Sequence, residues 1–94
     1  MNEPVKFAGA VMFNGERIIL EPYGDGGSGV TALAIRDDFM IVRFRRKRVE
    51  TYVYNLDRPG AAHLDEMKRR AISGKGLTTY INQQVGAHYF QKLD

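Results

Sequence analysis

The residues of this sequence that could do chemistry are mainly cations, and most of them are concentrated in its middle. Five lie within six consecutive positions: Arg43, Arg45, Arg46, Lys47 and Arg48. Guanidinium groups hold phosphates, and apolar side chains between them offer surfaces on which unpaired bases can stack. We therefore predict that this segment contacts RNA or another single-stranded nucleic acid, with Lys68 and Lys75 assisting.

Two other interpretations of the basic segment stay open. Basic residues on an exposed hairpin discourage pairing with strands of other molecules, so the charges could be a solvated, protective edge. The strand face that carries Arg43 and Arg45 also carries three apolar residues: Phe39, Ile41 and Val53. These residues could anchor a protein partner, form a homodimer interface or pack beneath the N-terminal part of the chain.

A second group of polar residues is expected at the seam between a sheet and its helices: Tyr52, Tyr54, Ser73, Asn82 and Tyr89. A tyrosine can bury its ring and still offer its hydroxyl to a ligand. These residues could therefore line a small pocket for a nucleotide. The alternative is a core role for the tyrosines, with Ser73 and Asn82 bonded to the backbone at helix ends.

Most enzyme classes lack their usual residues here. The chain has no cysteine, which excludes disulfides, zinc–thiolate clusters and thiol nucleophiles. His63 and His88 have no acid or nucleophile at a spacing typical of catalysis, and no trio of His, Asp and Glu has metal-ligand spacing. We expect no catalytic residue, no metal and no cofactor, and thus a binding protein rather than an enzyme.

Length and charge set further bounds. The 94 residues, 44% of them hydrophobic, suit one small domain. Residues 36–75 hold eleven of the fourteen basic side chains against six acids, which favours a phosphate-bearing partner. No apolar run approaches the roughly 20 residues that span a bilayer, and the first residues do not resemble a signal peptide. We therefore expect a cytoplasmic protein with no membrane partner.

The strands that must position these residues follow from the apolar pattern. Residues 1–21 are predicted to form a β-hairpin, because Asn14-Gly15 between apolar runs favours a tight turn. Residues 22–29 contain four glycines and are predicted to be a linker. Period-two alternation predicts strands over residues 30–36, 39–45 and 49–56, which form an antiparallel meander in one sheet with the hairpin.

Two helices are predicted after the last strand. The first would be capped by Asp57 and carries a core-facing stripe: Leu64, Met67 and Ala71. The second carries another and would end at Gly86, ahead of a short tail: Leu77, Ile81 and Val85. The predicted fold is therefore α+β, a single domain over residues 1–94 with both helices on one face of an antiparallel sheet.

Three motifs in this order resemble the KTSC domain, a short domain named for the C-terminus of some lysyl-tRNA synthetases. The central Tyr-x-Tyr of that family matches Tyr52-Val53-Tyr54, and its Ala-x-Ser-x-Gly helix motif is similar to the segment that begins at Ala71. The closing pattern matches Asn82, Val85 and Tyr89. The resemblance covers residues 30 to 92 and leaves the hairpin outside it. Basic residues replace the glycine that the family often has before Tyr-x-Tyr.

The resemblance implies a fold but no established activity. The family also occurs as small free-standing proteins of bacteria and phages, and its link with a tRNA synthetase points to RNA by analogy. Our leading hypothesis is a non-catalytic module that binds nucleic acid through the basic hairpin. The second is a small phage-type or regulatory protein that binds and modulates a protein partner, and the third is a nucleotide pocket at the sheet–helix seam.

Overall fold

A computed structural model describes residues 8–24 and 29–93 of the chain. The strands within these residues are β1 Ala10–Phe13, β2 Glu16–Ile19, β3 Glu21–Pro22, β4 Gly29–Ile35, β5 Phe39–Arg45, β6 Val49–Asn55 and β7 Gln91–Lys92. The helices are α1 Ala61–Ser73 and α2 Leu77–Tyr80, and α2 continues into a π-helical segment, Ile81–Val85. The predicted α+β class, with an antiparallel sheet and two helices, is confirmed.

The main sheet has five antiparallel strands in the order β3-β4-β5-β6-β7. Its centre is the predicted meander, in which β5 pairs with β6 along its whole length, from Phe39 opposite Asn55 to Arg45 opposite Val49. The prediction of a linker over residues 22–29 needs correction at both ends. Pro22 belongs to β3 and Gly29 begins β4, while residues 25–28 lie outside the described part of the chain.

The N-terminal hairpin forms a separate two-stranded sheet, so the prediction that it shares one sheet with the meander is wrong. Its predicted turn at Asn14-Gly15 is confirmed, with Phe13 paired to Glu16. The hairpin packs face-on against the main sheet because that face is apolar and the helices cover only the other one. The contact buries hairpin and sheet residues together: Phe13, Ile18, Leu20, Ala32, Ala34, Ile41 and Val53.

The helices cover the opposite face of the main sheet. The two stripes predicted from helical spacing are confirmed, since five of their six members are buried: Leu64, Met67, Leu77, Ile81 and Val85. They pack on the alternate residues of β5, which are Met40, Val42 and Phe44. The molecule is therefore layered as hairpin, sheet and helices, and the sheet is buried on both sides.

The helix ends differ in part from the prediction. Asp57 does not cap α1, which begins after Gly60 with no side-chain cap. Instead the Oδ1 of Asn55 accepts hydrogen bonds from the backbone N–H groups of Asp57 and Arg58, at 3.0 and 2.9 Å. Gly74 ends α1 in the left-handed conformation, with φ 84°, which a residue without a Cβ adopts at little cost.

The segment after the helices also differs from the prediction. Gly86 ends the π-helical segment as expected, but the tail then returns to the sheet as β7. Tyr52 pairs with Lys92 and Val53 with Gln91. None of the helices within residues 8–24 and 29–93 is long and apolar enough to cross a membrane.

Candidate functional site

An open cavity is bounded on one side by β6 and the end of β5. On the other side it is bounded by the π-helical segment and the residues that follow this segment. Its volume is about 260 Å³. Its lining includes four aromatic rings, one guanidinium and one amide group: Phe44, Tyr52, Tyr54, Tyr89, Arg46 and Asn82. We call this the aromatic cavity. It contains four of the five residues predicted at the sheet–helix seam.

The aromatic wall follows from strand alternation. Tyr52 and Tyr54 are two apart on β6, so both project toward the helices, with ring centroids 6.4 Å apart. Phe44 on β5 meets Tyr52 edge-on at 5.9 Å. Tyr89 closes the wall at 4.5 Å from Tyr52, because the backbone N–H of Phe90 donates to the carbonyl of Val53 and holds the tail against β6.

The two strand tyrosines keep their protons. Tyr54 is almost completely buried, with 1% of its surface exposed. Burial raises the pKa of Tyr54 well above its usual value, and the neighbouring phenol of Tyr52 adds to the effect. Burial and the nearby carboxylate of Glu50 also raise the pKa of Tyr52. The cavity wall therefore carries neutral phenols near neutral pH.

Arg46 joins the cavity to the basic turn, which we define as residues 45–48. Its guanidinium lies 4.7 Å from the ring centroid of Phe44 and donates a hydrogen bond of 2.9 Å to Oδ1 of Asn82. These contacts hold the planar group over a ring and against an amide, which leaves its positive charge uncancelled. The sequence analysis predicted that Arg46 contacts nucleic acid, and the structure places Arg46 at the aromatic cavity.

An ion pair borders the same region. Lys92 donates a 3.1 Å hydrogen bond to Glu50, and this ammonium holds the pKa of the Glu50 carboxyl below its usual value. Lys92 also lies 6.0 Å from the ring centroid of Tyr52. Because the charges of Lys92 and Glu50 offset each other, the net charge beside the cavity comes from the basic turn, which includes Arg46.

The cations predicted to bind nucleic acid do not form one group. Arg45, Lys47 and Arg48 are exposed at the turn, and Arg48 makes a long ion pair of 3.9 Å with Glu50. Arg43 is partly buried on the hairpin side, where it donates to Thr51 Oγ1 at 3.0 Å and to the Ala8 carbonyl at 3.4 Å. Arg43 therefore links β5 to β6 and to Ala8, just ahead of the hairpin strand β1. This position corrects the prediction that Arg43 belongs to the nucleic-acid-binding cations.

The two assisting lysines lie in different places. Lys68 donates to the carbonyl of Asp37, in the turn before β5, and β5 separates that turn from the basic turn by roughly 20 Å. Lys68 therefore does not belong to the same surface. Lys75 is exposed in the turn before α2. The backbone N–H of Val30 donates to Thr78 Oγ1 of α2, and Val30 lies next to the residue that pairs with Arg45. The start of α2 therefore lies near the Arg45 end of the sheet.

The residues predicted as a protein or dimer interface are covered. Ile41 and Val53 have no exposed surface, because the hairpin packs on them. Phe39 is half-buried with its ring 5.2 Å from that of Phe13. The N-terminal hairpin therefore covers this face, which agrees with the alternative that these residues pack beneath the N-terminal part of the chain. The covered face offers no anchor to a partner.

Ser73 is the one predicted pocket residue that lies elsewhere. It ends α1, and its hydroxyl donates to the carbonyl of Arg70 at 3.0 Å. Phe44 also lines the cavity, although it was not among the predicted pocket residues. Its alternation with Met40 and Val42 already placed it on the helix side of β5, which was the available signal.

Within residues 8–24 and 29–93, no three His, Cys, Asp or Glu side chains are grouped so that they could hold a metal ion. His63 lies with Nδ1 2.7 Å from the hydroxyl of Tyr80, and Arg70 lies over the same ring at 4.8 Å. This cluster ties α1 to α2.

Comparison of the chain with protein-family models, with curated proteins and with solved structures finds no match. The similarity to the KTSC domain remains a prediction from the motifs.

Proposed function

We propose that this protein is a non-catalytic module that binds single-stranded nucleic acid, RNA or DNA, through the basic turn and the adjacent aromatic cavity. The observation that carries the proposal is the position of Arg46, which belongs to the basic turn and also lines the cavity. Single-strand binding needs cations for the phosphates beside aromatic rings for the bases. The two requirements meet at this residue.

The charge distribution supports the same proposal. Arg45, Lys47 and Arg48 are exposed at the tip of the β5–β6 hairpin. Within residues 8–24 and 29–93, their one ion pair with a carboxylate is the long 3.9 Å contact from Arg48 to Glu50. Exposed cations of this kind exchange condensed counterions for phosphates, so affinity would depend steeply on salt. A protective edge alone would not require an aromatic cavity beside the charges.

The test is a fluorescence-anisotropy titration with labelled single-stranded RNA, single-stranded DNA and duplex DNA between about 50 and 200 mM salt. The site variant replaces Arg45, Lys47 and Arg48 by alanine. The control variant replaces Arg36, Arg58 and Lys68 by alanine, which removes the same charge from the opposite end of the sheet. The two variants have the same net charge and differ only in where it is lost.

We expect the wild type to prefer single strands and the site variant to bind far more weakly. For single strands the logarithmic salt slope changes by about 0.7 per phosphate contact, so losing three contacts lowers it by about 2. The control variant should keep most of the slope. Equal losses in both variants would show binding through overall charge, and an absence of binding at low salt would refute the proposal.

A further inference from the structure

We propose that the aromatic cavity receives a single guanine base of the bound strand. This inference rests on the proposed function, because the base would belong to the strand held by the basic turn. It adds a base preference to a contact that phosphate binding alone would leave independent of sequence.

The size of the cavity limits its occupant. Pockets that enclose drug-sized ligands measure about 300–1,000 Å³, and this cavity measures about 260 Å³. It therefore suits one planar ring system rather than a larger ligand. The ring of Tyr89 and the ring of Tyr52, both on its wall, offer the surfaces on which an unpaired base stacks.

The positive charge at the cavity favours a neutral base over a cationic ligand. Aromatic cages commonly bind quaternary ammonium groups through their ring faces. Here the guanidinium of Arg46 lies at the wall, and a second cation would be repelled by it. A neutral base that is linked to a phosphate meets no such repulsion, because the basic turn accepts the phosphate.

The two polar side chains joined at the cavity, Arg46 and Asn82, present donors. Oδ1 of Asn82 already accepts from Arg46, so the amide of Asn82 has its N–H groups to offer. A guanidinium has five N–H donors, and only one of its nitrogens is engaged with Asn82. The phenol of Tyr54 stays protonated because burial raises its pKa, and it can donate as well.

A donor-rich wall favours a base whose edge carries acceptors side by side. Guanine presents O6 and N7 as adjacent acceptors, and a cationic side chain that donates to both is the commonest specific contact to a base. Adenine and cytosine each place an amino group on the corresponding edge, which would face the donors of the cavity. The arrangement of Arg46 and Asn82 therefore points to guanine.

The experiment uses four labelled single strands of about 8 nucleotides, a uridine strand and versions with one central guanosine, adenosine or cytidine. The strands are titrated against the whole protein at one low salt concentration. We expect the guanosine strand to bind about tenfold more tightly than the others. The readout is the ratio of dissociation constants between strands, which a general loss of affinity does not change.

Two variants locate the preference. Arg46→Ala removes the N–H donors that would bond O6 and N7, so the guanosine preference should fall toward one. Lys47→Ala should weaken all four strands by a similar factor and keep the ratio. Thermal unfolding of each variant verifies that it is folded.

The outcomes separate this inference from the proposed function. If all four strands bind with equal affinity, or if Arg46→Ala keeps the preference, the guanine site is wrong and the single-strand module stands. If none of the strands binds, both are wrong. A preference for guanosine that Arg46→Ala removes supports both.

Discussion

Arg46 and Asn82 are 36 residues apart in sequence and are joined by a 2.9 Å hydrogen bond between the guanidinium and the side-chain amide. The first belongs to the turn between β5 and β6, and the second to the π-helical segment. Their contact joins the sheet to the helix layer at the mouth of the aromatic cavity. Because both side chains are exposed, the bond orients a cation without burying it.

Asn82→Asp should weaken nucleic-acid binding without lowering stability. The new carboxylate would pair with Arg46 and offset its charge, and an exposed pair of this kind changes stability by only about 0–1 kcal/mol. The salt slope for a single strand should fall by about 0.7. Gln83→Glu is the matched control, since it adds the same charge at the next exposed residue. A loss of affinity as large in Gln83→Glu as in Asn82→Asp would contradict the role of the Arg46–Asn82 contact.

Ile18→Ala should destabilise the protein far more than Ile19→Ala. Ile18 lies in β2 on the side of the hairpin that packs against the main sheet, and it has no exposed surface. Ile19, the next residue of β2, is 43% exposed. Truncating a buried isoleucine costs about 2–5 kcal/mol, and the change at Ile19 should stay below about 1 kcal/mol. Urea unfolding of both variants measures the difference. Equal effects would mean that the hairpin does not pack on the sheet in solution.

Much of the fold could be predicted because it is encoded by local signals. The alternation of β5 fixed which residues face the helices, with Met40 and Val42 on one side and Ile41 on the other. Asn14-Gly15 marked the hairpin turn through its tolerance of positive φ, which is 52° and 74° at these residues. The helical stripes were equally visible, since residues three and four apart share a face.

The parts that could not be predicted depend on contacts between distant segments. No local pattern says that the hairpin packs across a sheet face instead of extending the sheet, because its alternation is the same in both arrangements. Gln91–Lys92 is too short to show any alternation, so β7 was missed. The cavity was anticipated from the tyrosines, but Arg46 joined it only because the β5–β6 turn and Asn82 meet in space.

Arg43→Ala should lower stability, whereas Arg45→Ala should weaken binding to a single strand. The guanidinium of Arg43 bonds Thr51 and the Ala8 carbonyl, and hydrogen bonds from a charged group contribute about 1.5–3 kcal/mol. Arg43→Ala should therefore lower the free energy of unfolding by about that amount. Arg45 is exposed, so Arg45→Ala should keep stability and weaken binding to a single strand. Urea unfolding and anisotropy on both variants check this, and the reverse assignment would place Arg43 at the binding surface.

Gly29→Ala should destabilise the protein more than Gly74→Ala does. Both glycines have positive φ, 95° and 84°, so each alanine would be strained by about 1–2 kcal/mol. A Cβ at Gly29 would also lie 2.7 Å from Cγ2 of Thr78, whereas one at Gly74 would meet nothing within 4 Å. The clash should add about 1–3 kcal/mol. Thermal unfolding compares the two, and similar melting temperatures would show that α2 moves away from β4 easily.

Glu66→Gln should change how stability depends on pH. The carboxylate of Glu66 accepts from Arg70 and pairs with Arg69, both at 2.8 Å. The hydrogen bond from Arg70 holds the pKa of Glu66 below its usual value of 4.5. A carboxyl whose pKa is lower in the folded state stabilises that state fully above 4.5, and this contribution is lost as the pH falls through the lowered pKa. The wild type should therefore exceed Glu66→Gln in stability near neutral pH, and the two should converge in acid. Unfolding in urea across this range measures both curves, and a constant separation down to the lowest pH would show that the Glu66 carboxylate is not the group that titrates.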